Sequence, residues 1–428
     1  MSIKIYLDYA ATTPVDKKVM QAMLPYFSDR FGNASSLHSF GQEASQAVEK
    51  SRKQAADFFG CDSEEIIFTS GATESNNLAI KGVVKAYRSA QQTLGVSGRQ
   101  VSQKPHIVTT SFEHHCVLDA CKSLEKENLA EVTYINPKKD GVIKAADIKK
   151  AIKKNTILIS VMCVNNEIGT VQPIKEIGKI VKEYNSQFKI QNSSPKADQP
   201  MAEKFKILLH TDATQAINYF DCNVDKLGVD LLSMSAHKIY GPKGVGALYV
   251  RKGTNIARVQ DGGGQEFGKR AGTLNVPGIV GLGAAVAEIK NQKSKIKIVV
   301  SLRDYLIKKI LKEIPDVKLN GSKVKRSPNN ANFSFKNVEG ESLLLMLDAE
   351  GIAASTGSAC SSGSLRPSHV LLSLGMKPEK THGSLRVTIG KYTTRKEIDI
   401  SISKLKKIIK QLREISGNVL IDYYKKND

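Results

Sequence analysis

Two side chains at the ends of adjacent apolar runs could do chemistry together. Lys238 lies in Ser233-Met-Ser-Ala-His-Lys-Ile-Tyr-Gly-Pro-Lys-Gly244. It follows the run Asp230–Met234, which predicts a strand, and precedes a glycine- and proline-rich turn and a second predicted strand, Gly246–Val250. A lysine there, beside Ser235 and His237, can attack a carbonyl once burial or a nearby cation lowers its pKa. Taken alone, Lys238 could equally be a solvated surface charge. Asp212 supplies the second half of the signal, closing the run Lys206-Ile-Leu-Leu-His-Thr-Asp212. A carboxylate at one strand end and a lysine at the next suit pyridoxal phosphate. The carboxylate keeps the pyridine nitrogen protonated, and the lysine holds the aldehyde.

A phosphate needs its own cradle. Ser70-Gly-Ala-Thr-Glu-Ser75 links a predicted strand, Glu65–Thr69, to an amphipathic helix over Asn76–Tyr87. Free N–H groups and the positive end of the helix dipole converge there, and Thr73 could add its hydroxyl. The plainer reading makes Thr73 an ordinary N-cap. No Walker A or G-x-G-x-x-G loop stands elsewhere. Cys360 sits in Ser355-Thr-Gly-Ser-Ala-Cys-Ser-Ser-Gly-Ser364, without the apolar neighbours a core cysteine would have. That environment suits a reactive thiol. His114-His115-Cys116 has no second ligand cluster at zinc spacing, so no metal is expected.

The elements that must position these residues alternate. Strands are predicted at Glu65–Thr69, Ile107–Thr110, Glu131–Ile135, Ile157–Val164, Ile207–Asp212, Asp230–Met234 and Gly246–Val250, mostly separated by helices. This is an α/β pattern with a mostly parallel seven-stranded sheet and helices on both faces. Such sheets gather ligands at their strand C-terminal ends. Thr73, His114, Asn166, Asp212 and Lys238 all fall just past predicted ends. Helices are expected over Val15–Phe27, Gln42–Phe59 (stopped by Gly60) and, with breaks, Val276–Ile314. Asn330–Phe335 and Arg386–Ile389 alternate like strands of a smaller sheet. Segments 89–104 and 186–203 lack apolar periodicity and read as mobile surface loops.

Composition bounds the rest. The 428 residues, 41% apolar and 25% charged, suit a large and a smaller domain. No apolar run approaches bilayer length, and the first residues lack the features of a signal or transit peptide. Six cysteines without framework spacing predict reduced thiols and a cytoplasmic location. The net charge of +21 would attract polyanions. Its lysines are scattered, though, with no aromatic stacking motif, so direct nucleic-acid binding is not expected.

Several stretches together resemble the cysteine desulfurases of the NifS and IscS type, class-V aminotransferase relatives with pyridoxal-phosphate fold type I. They are Tyr6-Leu-Asp-Tyr-Ala-Ala-Thr-Thr-Pro14, Thr69-Ser-Gly-Ala-Thr-Glu-Ser75, Val164-Asn-Asn-Glu-Ile-Gly169, His210-Thr-Asp-Ala-Thr-Gln215, Ser235-Ala-His-Lys-Ile-Tyr-Gly-Pro-Lys-Gly244, Arg270-Ala-Gly-Thr273 and Gly357-Ser-Ala-Cys-Ser361. They stand in family order, and the cysteine loop is similar to the longer one of group I.

The resemblance implies a role for each matched residue. Lys238 would be the Schiff-base lysine and proton carrier, and Asp212 the partner of the pyridinium. His114 would stack on the ring and serve as acid or base; Asn166 and Gln215 would contact ring substituents. Ala72, Thr73, Ser235 and His237 would hold the phosphate, with Thr273 reaching it from the partner subunit of a homodimer. Arg386, with Asn166, would bind the substrate carboxylate, a task a bidentate guanidinium suits. Cys360 would take sulfur from L-cysteine as a persulfide, leaving alanine, and pass it to an iron–sulfur scaffold or a tRNA thiolation enzyme. The implied domains are 15–265, binding the cofactor, and a small α+β domain of 1–14 and 266–428 with a mobile cysteine loop at about 355–366. The alternatives are a selenocysteine lyase or another fold type I enzyme such as an aminotransferase, which has no need of Cys360. The two polar insertions and the tail Asn418–Asp428 depart from the family pattern.

Overall fold

The computed structural model describes residues 4–93, 104–191, 206–290, 293–356 and 367–427. A short first strand, β1 (Ile5–Tyr6), precedes the large sheet. The next seven strands build that sheet: β2 (Ile66–Thr69), β3 (His106–Thr110), β4 (Glu131–Ile135), β5 (Thr156–Ser160), β6 (Leu208–Asp212), β7 (Leu231–Ser235) and β8 (Gly246–Val250). Their order is β2-β8-β7-β6-β5-β3-β4, and β8 alone runs against its neighbours. All seven expected strands are present, with ends shifted by a few residues.

The sheet is covered on both faces, which is why β2, β3, β5, β7 and β8 are buried along their whole length. Alternate residues serve opposite cores. Ile67, Ile107, Leu158, Leu231 and Leu248 pack with Leu78, Val84, Val117 and Leu124 from helices Ala72–Thr93 and His115–Lys126. Phe68, Val108, Ile159, Leu232 and Ala247 pack on the other side with Val48, Phe59, Ile177 and Leu282.

Several helix boundaries differ from expectation. The first long helix is Ser39–Phe59, capped by His38 and stopped by Gly60 at φ 71°. The helix expected over Asn76–Tyr87 runs from Ala72 to Thr93, and another spans Ile174–Gln191. So 89–93 and 186–191, expected in loops, are helical; the rest of both insertions, 94–103 and 192–205, lies outside the described residues. Nothing in either stretch breaks a helix that has already started, and polar residues such as Gln sustain one. The long expected helical stretch divides into Val276–Lys290 and Lys293–Glu313.

A second core gathers around β9 (Val317–Asn320), β10 (Asn330–Phe335) and β12 (Ser384–Thr388), an antiparallel sheet in the order β12-β10-β9. β11 (Ile352–Ala353) pairs parallel with β1. Ile5, Leu306, Phe333, Leu343, Leu385 and Ile402 meet in this core. The Val276–Lys290 helix does not join it: Ile279, Leu282 and Val286 pack in the large-sheet core.

Candidate active site

Parallel strands β6 and β7 end side by side, and Asp212 pairs in register with Ser233. That geometry places the carboxylate and the start of the lysine turn at one edge. Asp212 is buried; its Oδ2 accepts from Asn76 Nδ2 at 2.7 Å and its Oδ1 from the Thr214 N–H at 2.9 Å. Lys238 closes the short helical turn Ala236–Lys238 after β7. Its Nζ donates to the carbonyls of Ala10 at 2.7 Å and Ala11 at 2.5 Å, and Gln215 Nε2 donates to Ala10 O at 3.0 Å. The N-terminal segment thus crosses the site. Thr13 fixes it there, donating from both its N–H and its hydroxyl to His237 O. Burial, with the charges of Lys238 and Lys243, pushes His237 down to about 4, so its ring is neutral.

His114 caps the His115–Lys126 helix. Its Nδ1 lies 3.0 Å from Cys116 Sγ, and Asn76 Nδ2 donates to the same sulfur at 3.0 Å. Burial lowers the His114 pKa; the Asp212 charge opposes that shift and the Lys238 charge adds to it.

The cradle forms where β2 meets β8. Gly71 adopts φ +152°, and a Cβ on Gly246 would stand 2.7 Å from Gly71 Cα, so glycine is needed at this crossing. Ala72 begins the helix, and Ser235 Oγ lies 3.6 Å from where a Gly71 Cβ would be. Thr73 is already helical, so it is not the N-cap that one expectation made it. Instead the Glu74 carboxylate turns back to accept from the Ser70 N–H at 2.6 Å. Thr73 is exposed.

Across the site, Arg386 projects from β12 with its side chain 4% exposed. Nη2 donates to Asp8 Oδ1 at 2.8 Å and Nη1 to the Asn166 carbonyl at 3.1 Å. Its Nε is buried without a hydrogen-bond partner, as is Asn166 Oδ1. Asn166 stands six residues beyond β5 because the expected strand Ile157–Val164 stops at Ser160. The chain then enters a turn in which Asn165 Oδ1 accepts from the N–H groups of Glu167 and Ile168.

Cys360 and most of its expected loop fall in 357–366, outside the described residues. Ser355, assigned to that loop, is buried and bridges Arg386 through backbone hydrogen bonds. Thr273 is exposed; Arg270, three residues before it, is paired with Glu74 at 2.8 Å. The structure therefore brings Lys238, Asp212, His114, Gln215, Ser235 and His237 to the ends of β6, β7 and the N-terminal segment, with Asn166 and Arg386 opposite.

Sequence reading gave no role to Asn76, Asp8 or Cys116. Asn76 was the first residue of an expected helix; only the observed contact reveals it as the support of Asp212. Asp8 stood inside a matched stretch, but its partner lies 378 residues away. Among the described residues no group of three or more His, Cys, Asp or Glu could hold a metal.

These residues fit pyridoxal phosphate. A buried carboxylate held by two donors, a lysine just past the neighbouring strand end and a glycine crossing at a helix start are what its ring nitrogen, aldehyde and phosphate require. Fold and site define a pyridoxal-phosphate enzyme of fold type I. The aminotransferase class-V family model matches residues 5–202 and 196–400. The chain belongs to that family, in its branch of NifS/IscS-type cysteine desulfurases. It is 50% identical to cysteine desulfurase IscS of Dictyoglomus turgidum, covering 97% of both chains. The IscS of Methanosarcina thermophila is 46% identical, covering 96% of this chain and 93% of that one. A solved NifS-like protein superposes with TM-score 0.82 at 33% identity, covering 95% of this chain and all of that one. A structure of SspA in complex with cysteine gives TM-score 0.74 at 36% identity, covering 91% of this chain and all of that one.

Proposed function

We propose that the chain converts L-cysteine to L-alanine and carries the sulfur away on Cys360. The observation that carries this reading is Arg386: a buried guanidinium with an unused Nε, set beside Asn166 and joined through Ser355 to the segment that bears Cys360. A substrate carboxylate takes the free donors. Bound here, pyridoxal phosphate supplies an aldehyde for an amine and a ring that accepts electrons.

The chain's own groups do the rest. Asp212 keeps a positive charge at the ring nitrogen. Neutral His237, Ser235, Ala72 and Thr73 surround the phosphate position. Lys238 moves protons at the substrate carbon, and His114 covers the ring and exchanges a proton from its neutral form. The Cys360 thiolate attacks the substrate sulfur. The carbon–sulfur bond breaks, a sulfur–sulfur bond forms, and protons complete the methyl group of alanine. The carbon is reduced and the sulfur pair oxidised, so no outside oxidant is needed.

The other cysteines support this assignment. Cys61, Cys116, Cys121, Cys163 and Cys222 are free, and all but Cys61 are buried. Burial pushes Cys61, Cys121 and Cys163 up to about 12 and raises Cys116 and Cys222 as well. Such thiols stay protonated and inert.

The finer points belong to the same proposal. The enzyme acts as a homodimer whose exposed Thr273 reaches the partner's phosphate. It works in the cytoplasm and hands its sulfur to an iron–sulfur scaffold or a tRNA thiolation enzyme. No helix among the described residues is long and apolar enough to cross a membrane. The expected domains are 15–265, with 1–14 and 266–428 as the smaller; the packing of Val276–Lys290 in the large-sheet core supports moving the second boundary past that helix.

The test is pyridoxal-phosphate-loaded full chain given L-cysteine without a keto acid. Alanine should appear with one persulfide on Cys360, detected by mass. The Cys360→Ala variant should keep its cofactor absorbance and make no persulfide. Turnover that requires a keto acid would establish an aminotransferase instead.

A further inference from the structure

Glu167 is a buried acid that the proposed reaction does not use. It is 3% exposed, next to Asn166, on the turn past β5. Its Oε2 accepts from the Ser368 hydroxyl at 2.5 Å. Ser368 starts the helix His369–Ser373, and its oxygen accepts from the Leu371 N–H at 3.2 Å. It therefore lies just beyond the undescribed segment that carries Cys360. The Glu167 backbone is held as firmly: its N–H donates to Asn165, and its carbonyl accepts from Asn330 and Asn332, each at 3.2 Å.

The other end of that segment is tied as well. The Arg386 N–H donates to Ser355 O at 2.6 Å, and the Ser355 N–H to Arg386 O at 3.3 Å. Arg386 Nη1 in turn reaches the Asn166 carbonyl. Ser355, Arg386, Asn166, Glu167 and Ser368 thus form an unbroken chain of hydrogen bonds and peptide links. One flank of the cysteine segment is fastened to Arg386 and the other to Glu167, the chain neighbour of Asn166.

We propose that Glu167 is a positioning residue for sulfur transfer. It ties Ser368, just past the segment that bears Cys360, to the turn whose Asn166 carbonyl meets Arg386. A carboxylate here is costly: burial pushes Glu167 up to about 7, against the lowering effects of the Ser368 hydrogen bond and the Arg386 charge. An acid used merely as filler would be better replaced by a neutral side chain. The strong, short acceptor bond to Ser368 is what the acid provides.

This inference rests on the desulfurase reading, and the experiment separates the two. Loaded full-length wild type, Glu167→Gln, Glu167→Ala, Ser368→Ala and the double Glu167→Ala/Ser368→Ala are compared. The readouts are cofactor absorbance, KM and kcat for L-cysteine, and single-turnover persulfide on Cys360 by mass. Wild type that makes no alanine would sink the functional reading itself. Given an active wild type, Glu167→Ala and Ser368→Ala should each slow persulfide formation about tenfold, leaving absorbance and KM within about twofold. The double variant should lose no more than the worse single one. Glu167→Gln, which keeps an acceptor oxygen but not the charge, should recover only part of the rate. Losses that multiply in the double variant, or a raised KM with an unchanged persulfide rate, would overturn the role. So would Glu167→Ala folding like wild type and transferring sulfur at the wild-type rate.

Discussion

Asp8 Oδ1 and Arg386 Nη2 form an ion pair 2.8 Å long in which the arginine side chain is almost wholly buried. The pair orients the guanidinium and leaves Nε without a partner. Arg386→Ala should therefore raise KM for L-cysteine about 100-fold, matching the roughly 1.5–3 kcal/mol of charge-assisted hydrogen bonds. Asp8→Asn keeps an oxygen for the guanidinium but removes a negative charge from the carboxylate site. It should lower KM a few-fold with kcat unchanged, which steady-state kinetics would check.

Lys238 holds the carbonyls of Ala10 and Ala11, so it is positioned by backbone that side-chain changes cannot remove. Lys238→Ala should lose the visible absorbance of lysine-bound pyridoxal phosphate. Alanine formation should fall about 10²–10⁴-fold, the usual range for a lost proton carrier. Spectra and product analysis on the same preparation would decide it; an unchanged spectrum would rule the role out.

Asn76 donates to Asp212 at 2.7 Å. Asn76→Asp would place two carboxylates at that distance, and they cannot both ionise. One proton would be shared between them, so Asp212 would carry only part of the charge proposed to pair with a protonated pyridine. Cofactor affinity should drop tenfold or more, read by absorbance titration, while the thermal melt of the cofactor-free protein changes little.

His106 lies buried in β3 between two hydroxyls, Thr156 Oγ1 and Thr133 Oγ1, each at 2.8 Å. Burial lowers it from 6.5 to about 4. Its folded pKa is depressed, so the unfolded chain takes up the proton first as pH falls. The stability linked to this ring is fully present above pH 6.5 and is lost progressively down to about pH 4, by up to about 3 kcal/mol. Denaturant unfolding across that window should show the slope, and His106→Gln should flatten it.

Arg52 and Glu266 form a buried bidentate pair, and Glu266 also accepts from the Phe68 N–H at 2.6 Å. The pair anchors a loop whose Glu266 and Phe267 have φ 48° and 57°, values that side-chain-bearing residues seldom adopt. Removing one partner of such a pair strands the other charge. Arg52→Ala should cost about 3–5 kcal/mol, visible as a lower melting temperature.

Much of this was legible in the chain. The seven strands of the large sheet announce themselves as apolar runs cut by glycine, proline and aspartate, so Asp212 and Lys238 could be placed at neighbouring ends. β9 was missed: Val317-Lys-Leu-Asn320 is four residues with a lysine, mostly half-exposed at a sheet edge, and carries too little pattern. Helix ends erred where polar residues carried a turn onward, as past Tyr87. Contacts such as Asp8 with Arg386 or Glu167 with Ser368 leave no local trace, because each joins residues far apart in the chain.

β2 lies at the sheet edge and pairs only with β8, through Ile66 with Tyr249 and Thr69 with Gly246. During synthesis the ribosome must therefore deliver Tyr249 before Ile66 meets its neighbour, and closing so wide a span is slow. A nascent chain cut short before that point has no glycine crossing with which to hold a vitamin phosphate. Loading with the cofactor should consequently report that β2 has closed onto β8.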